Sequence, residues 1–248
     1  MKPFLKKSLF AISLQLIFAS LLFSQTTESW QASKETVERL SKNQTEFNYY
    51  EEKVPAYTLP DVLTTSKGKK IANKKEWEKL RRPELLELFT TQVYGRVPNT
   101  PYKTEFKIIK EDPNAMNGAA TLKLVDIIIS ANAKSLTIHL GLFTPNKIKK
   151  PVPAFLLVCN RPPAENIDFT RENKSEFWPA EEVIARGYAV AAFYNGDVDP
   201  DQHDEFQNGI HGLLDSKRDA ESWGTLAAWA WGASRCLDYL VTNKAIAA

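Results

Sequence analysis

Two uninterrupted apolar runs constrain this chain more than any other feature. They are "VPAFLLVCN" (residues 152–160) and "YAVAAFYN" (residues 188–195). A strand with one wet face alternates apolar and polar residues, whereas a run with no polar face marks a strand covered on both sides. Between the runs lies "EFWPAEEVIARG", which reads as a short helix closed by Gly187. Strand, helix, strand over this length predicts a right-handed crossover, with the two strands parallel in one sheet. The fold class expected is therefore α/β, with helices layered on both sides of a sheet.

Upstream the pattern differs. "KTEFKIIKED", "GAATLKLVDIIIS" and "KSLTIHLGLFTP" are rich in Val, Ile, Thr and Phe, and "SANAK" makes a turn between the last two. These are three antiparallel strands. In the third, Leu136, Ile138, Leu140 and Leu142 share one face, and His139 falls on the other with Thr137 and Gly141. His139 reads as a polar strand residue. "NKKEWEKLRRPELLELFTTQVYG" is helical in pattern, but Pro83 sits near its middle. Because Pro fits best in a first helical turn, two short helices are expected, the second closed by Gly95. Residues 25–75, with Pro55 and Pro60, read as an extended lead-in.

Residues 1–24 open with Lys2, Lys6 and Lys7, continue as an uncharged apolar run, and turn polar at Gln25. That layout is a secretory signal peptide, so export to the periplasm or medium is expected. A run of about 17 residues is short for a bilayer span, so no stable membrane span is expected after its removal. The leader carries three of the cations and no acid, so the rest of a chain of formal charge +2 is near neutral. Nucleic acid is a poor partner for such a surface. At 248 residues and 43% hydrophobic, the chain can build one sizeable core. The two cysteines, Cys159 and Cys236, lie in apolar settings and read as a buried free pair. With three histidines and no paired-cysteine motif, no metal site and no cofactor are expected. "YNGDVDPDQHDEF" gathers Asp197, Asp199, Asp201 and Asp204, but Pro200 and the missing Gly and Glu of a calcium loop favour an acidic loop at the carboxyl end of the second buried strand.

The last helical stretch, from about Ser222 to Thr242, contains "GASRC". A nucleophile elbow needs a strand, a sharp turn and a helix, with Gly on both sides of the Ser. No strand precedes Ser234, and Cys236 stands where a Gly is required. Trp223, Leu226, Ala230, Ser234, Leu237 and Val241 recur at helical spacing, Trp229, Ala233, Cys236 and Leu240 widen the same expected buried face, and Arg235 and Asp238 pair on the opposite side. A buried helical Ser bonds the carbonyl four residues back. Ser234 is thus expected to be structural.

Together, "VYGRVP", "PVPAFLLVCNRP", "RGYAVAAFYNGDVDPD" and "SWGTLAAWAWGASRCLDYLVTN" resemble the glucuronoyl esterases, carbohydrate esterase family fifteen, over roughly residues 75–248. The resemblance implies an α/β-hydrolase fold of three layers, α/β/α, with this chain stopping before the nucleophile strand. It implies a 76–248 unit that is the N-terminal part of the esterase domain. Catalytic Ser, acid and His would all follow Ala248, so none is assigned to a residue here, and the chain reads as an inactive fragment of a serine esterase. Without the following strands, an open sheet edge and a half-covered helix are expected. The implied substrate is an ester of 4-O-methyl-glucuronic acid in xylan or lignin–carbohydrate material, and the implied partner is plant cell-wall glucuronoxylan or its oligosaccharides. In such a fold the loop after the first buried strand contributes an oxyanion N–H, which makes Asn160 and Arg161 candidates for the pocket edge. An acetyl xylan esterase, another exported α/β hydrolase and a non-catalytic carbohydrate-binding protein are the competing readings.

Overall fold

A computed structural model describes residues 31–247. The expected signal peptide lies outside the described residues. Among the described residues, 31–61 and 62–247 fall in separate compact units. In the first, a helix forms where the sequence reads as extended: α1 spans Lys34–Asn43. The Ser33 side chain accepts from the Thr36 N–H, and Glu35 lies in the first turn. This cap and a short apolar stripe, Val37 and Leu40 one turn apart, form the helix within an otherwise polar segment.

In the second unit the chain forms one five-stranded sheet of order β1-β2-β3-β5-β4. Strands β1 (Lys103–Ala115), β2 (Ala120–Ala131) and β3 (Lys134–Pro145) form an antiparallel meander, as their composition and turn predict. Strand β4 is Ala154–Cys159, and β5, Ala189–Tyr194, lies between β3 and β4. β5 runs antiparallel to β3 and parallel to β4, with Ala154 opposite Ala189 and Cys159 opposite Tyr194. The crossover between β4 and β5 holds two short helices, α3 (Pro163–Asn166) and α4 (Ala180–Ala185), and Gly187 ends the second turn at φ 86°.

The core has two halves, one on each face of the sheet. Ile127, Ile129, Ile138, Leu140, Ala191 and Phe193 pack against α5 (Gly209–Leu214) and α6 (Thr225–Leu240). Leu122, Phe143, Val190, Ala192 and Cys159 pack on the other face against α4 and Trp178. Gly141 sits on this second face, where a Cβ would come within 2.1 Å of the Phe169 ring. The described sheet thus carries helices on both faces, the layering expected of the α/β class.

Three local expectations need correction. β5 is buried along its length, but β4 is not: it is an edge strand, and Phe155 is 58% exposed. A continuous apolar run shows that both faces are apolar, not that both edges are paired. Second, the helical stretch is not split at Pro83. A turn at Lys74–Glu76, a π-helical turn at Trp77–Arg81, α2 (Arg82–Phe89) and a second π-helical turn at Thr90–Tyr94 follow one another directly. Pro83 falls in the first turn of α2, and the wide π turn before it absorbs the missing N–H, with Arg82 N–H reaching back to the Trp77 carbonyl. Third, α6 buries only part of the face expected: Trp223, Cys236 and Leu240 are buried and Trp229 and Ala233 pack against the core, but the rest is turned outward. Ala228, Trp231, Gly232, Cys236, Tyr239 and Leu240 face the sheet. Leu226, Leu237 and Val241 are 63%, 50% and 59% exposed, and Ala230 and Ser234 lie on the same open side. The helix carries two apolar stripes, and Gly232 selects one by allowing Val198 to approach closely.

Candidate active-site framework

The pairing of Cys159 with Tyr194 brings the loops that follow β4 and β5 out at the same level of the sheet. The carboxyl ends of neighbouring parallel strands are where α/β sheets build sites. From β4 this places Asn160 and Arg161 at the rim, both exposed. The Arg161 guanidinium stacks over the Phe177 ring at 4.2 Å, and its backbone carbonyl accepts from the Cys159 thiol. The loop is thereby tied back to its own strand.

From β5 the chain enters a tight turn, Asn195–Asp197, and then the acidic loop. Asp197 accepts from the backbone N–H of His139 at 2.9 Å, and its Oδ2 lies 3.0 Å from His139 Nδ1. His139 is exposed on β3, so it is the polar strand residue expected, with a carboxylate partner that the sequence did not reveal. Asp204 binds the backbone N–H groups of Phe206 and Asn208, closing its own loop. Among the described residues no cluster of His, Cys, Asp or Glu has the arrangement of a metal site.

The sequence places His211 near the acidic loop, and the family resemblance argues against its being the triad histidine; its cage is not foreseen. His211 is fully buried on α5, between the rings of Phe206 and Trp223 at 5.0 and 4.9 Å. Its Nδ1 lies 3.2 Å from Asp215 Oδ2, and its Nε2 lies 3.6 Å from Asp199 Oδ2. Arg218 pairs with Asp215, stacks 3.8 Å above the Phe206 ring, and donates to the Trp223 carbonyl at 2.6 Å. Burial pushes the Asp199 carboxyl above the usual carboxylate range. Burial works the same way on Asp215, but hydrogen bonds from His211, Trp223 and Arg218 outweigh it, so that carboxyl is held below its ordinary value. A ring caged in this way has no access to a substrate. Its part is to lock α5, the acidic loop and the entry to α6 together. The His211/Asp215 spacing, one helical turn, is the only trace of this in the sequence.

Ser234 donates its hydroxyl to the Ala230 carbonyl at 3.0 Å, the bond expected of a structural helical serine, although on the exposed side. Arg235 pairs with Asp238 at 2.7 Å and also donates to the Tyr102 hydroxyl. Cys159 and Cys236 are free and buried. No serine hydroxyl bonds a histidine ring among the described residues, and no helix among them is long and apolar enough to cross a membrane.

Comparison with known proteins places this arrangement. No family model matches the chain. A curated protein of an unknown prokaryotic organism, carbohydrate esterase MZ0003, is 33% identical over 234 residues, covering 81% of this chain and 53% of that protein. The solved glucuronoyl esterase from Solibacter usitatus superposes with a TM-score of 0.71 at 32% identity, over 80% of this chain and 57% of its own. A promiscuous CE15 esterase from the marine bacterial metagenome gives 0.67 at 32% identity, over 81% and 57%. The chain spans about half the length of these relatives. The mixed sheet with helices on both faces is an α/β-hydrolase framework.

Proposed function

Because this chain belongs to the glucuronoyl esterases of carbohydrate esterase family 15, we propose that the gene product carrying it hydrolyses esters of 4-O-methyl-glucuronic acid in glucuronoxylan or lignin–carbohydrate material. The carrying observation is the similarity of sequence and fold over four fifths of the chain, which includes the parallel β4–β5 pair and its loops. The chemistry is acyl transfer to a serine. A histidine acts as base, a carboxylate orients it, and preorganised donors hold the oxyanion. Within the described residues the framework supplies the rim: Asn160 and Arg161 at the end of β4, and the acidic loop at the end of β5. We assign the nucleophile, acid and base to none of these residues. Ser234 is bound to its own helix, and His211 is sealed from solvent. The domain reading keeps residues 76–248 as part of the esterase domain, with residues 1–24 as a signal peptide and export to the periplasm or medium, where a polymeric substrate would be met.

The test is to express the gene product that carries this sequence and follow acid release from methyl glucuronate and from acetylated xylan. Cleavage of the uronate ester in preference to the acetyl ester supports the reading. Cleavage of acetyl esters alone, or of neither, overturns it.

A further inference from the structure

A cleft opens on the meander, at the same end of the sheet as the loops after β4 and β5. β1 begins to pair at Lys103, opposite Ser130, whereas β2 continues with β3 as far as Ala131 opposite Lys134. The lead-in through Pro101 and Tyr102 therefore parts from the hairpin. The fork between them encloses about 680 Å³, a size that accepts a small ligand. Lys103 faces Ser130 and Ser130 faces Ser135, so the three stand in one row, and cross-strand partners share a face. Tyr102, Asn132 and Lys134 complete the polar lining. The lining holds two cations and no acid, and neither ammonium has an ion-pair partner among the described residues. On a chain otherwise near neutral, such a cleft attracts anions. Both of its walls are fixed from behind. The Tyr102 hydroxyl accepts from Arg235 at 2.7 Å, and its ring meets Trp231 edge-on at 5.3 Å. The Asn132 side chain donates to the Leu213 carbonyl at 3.3 Å, and the hairpin tip turns through Asn132 and Ala133 at φ 51° and 61°. Ala133 thus holds a left-handed conformation that glycine adopts more easily. Walls set before a ligand arrives lower the ordering cost of binding. The cleft also lies within reach of the rim. β3 runs antiparallel to β5, and the His139 N–H bonds Asp197 in the turn after β5. From that level the start of β3 projects roughly 17 Å further along the strand direction.

We propose that this cleft is a distal subsite for an acidic saccharide, a sugar residue with a free carboxylate on the same polymer whose ester meets the rim. The identity of that polymer rests on the esterase reading. The preference for an anionic sugar rests on Lys103 and Lys134. An esterified uronate is neutral and gains nothing from two ammonium groups. An unesterified uronate further along the polymer gains charge-assisted contacts from both. Ser130, Ser135 and Asn132 offer hydrogen bonds to sugar hydroxyls, and the Tyr102 ring offers an apolar surface. A compact inorganic anion would use the charges but neither the hydroxyl row nor the ring.

The gene product carrying this sequence is titrated by calorimetry with a xylo-oligosaccharide bearing one free 4-O-methyl-glucuronic acid branch, and with the neutral oligosaccharide of the same backbone length. The acidic ligand is expected to bind about tenfold more tightly at low salt, and the preference to shrink as salt rises. Lys103→Gln combined with Lys134→Gln should remove the preference. Both side chains are exposed, so the thermal midpoint should hold. Lys107→Gln removes an exposed cation of β1 outside the cleft and should change nothing. Should the double variant be destabilised, Lys134→Glu at the hairpin decides: it should weaken the acidic ligand and spare the neutral one. Equal affinity for the two ligands, a preference that survives these variants, the same loss in Lys107→Gln, or displacement of the saccharide by equimolar inorganic phosphate overturns the proposal. Hydrolysis of methyl glucuronate is read separately. Cleavage without the acidic preference removes the subsite and leaves the esterase reading. The preference without cleavage leaves an acidic-saccharide site and removes the esterase reading.

Discussion

The indole N–H of Trp223 donates to Asp215 Oδ1 at 2.7 Å, while the other oxygen of the same carboxylate holds Arg218 and faces His211. One carboxylate thus fastens three side chains that come from α5 and from the lead-in to α6. Removing it leaves a buried His, a guanidinium and an indole N–H without their acceptor. Asp215→Ala should cost about 3 kcal/mol of unfolding free energy, read from the midpoint shift in urea. Asp215→Asn, which keeps the shape and one acceptor, should cost less. A loss below ~1 kcal/mol for the alanine variant would mean that the network does not hold the fold.

Glu84 offers a pH test. Its carboxyl is held down to about 2 by hydrogen bonds from Ser66 and Arg81. A depressed folded-state value adds stability above the unfolded value, and that stability is lost as the pH falls through the folded one. The contribution should be complete above about pH 4.5 and fade toward pH 2. Stability measured across that window should fall less steeply for Glu84→Gln than for the unaltered chain.

Both thiols should be silent in the native state. Burial pushes the Cys159 and Cys236 thiols up, away from the reactive thiolate. A colourimetric thiol reagent at neutral pH should find none in the folded chain and two after denaturation. Rapid native labelling of either residue would show that its side of the core opens.

Gly95 and Gly141 are both closely approached, but differently. Gly95 has φ +82°, and a Cβ there would lie 2.3 Å from the backbone of Ser222 and Trp223. At Gly141 the obstacle is the Phe169 ring, which can rotate or shift. Gly141→Ala should cost about 1–3 kcal/mol, and Gly95→Ala distinctly more, since strain and a backbone clash add. Equal losses in chemical denaturation would contradict the backbone approach at Gly95.

Ser234→Ala should shift stability by less than ~0.5 kcal/mol, because the hydroxyl is exposed and bonds only its own helix. Ester hydrolysis by the gene product carrying it should be unchanged. A collapse of activity would restore Ser234 as a nucleophile.

What could be read in the sequence follows from what local pattern records. Val, Ile, Thr and Phe content revealed the meander to within a few residues, and in β3 the alternation put Leu136, Ile138, Leu140 and Leu142 on the face that packs in the core. The decoy at Ser234 was legible because an elbow needs a preceding strand and a second Gly, and both are missing from the string itself. The buried side of α6 was legible only in part: Trp223, Cys236 and Leu240 are buried as expected, but two apolar stripes are present, and the approach of Val198 to Gly232 chooses between them. The cage around His211 was not legible, since it is made by Phe206 and Trp223, one on each side in sequence, and by an aspartate from another loop.

The strand order has a consequence for how the chain is made. β1, β2 and β3 pair with their immediate sequence neighbours, so the meander can close as soon as Pro145 has been synthesised. β4 comes next, but its place in the sheet is not beside β3. It must wait as a lone apolar segment until Ala189–Tyr194 arrives and slots in between. For that interval a nascent chain holds "AFLLVC" with no partner. A pause in translation there would be the moment of greatest exposure to chaperones, or to another chain.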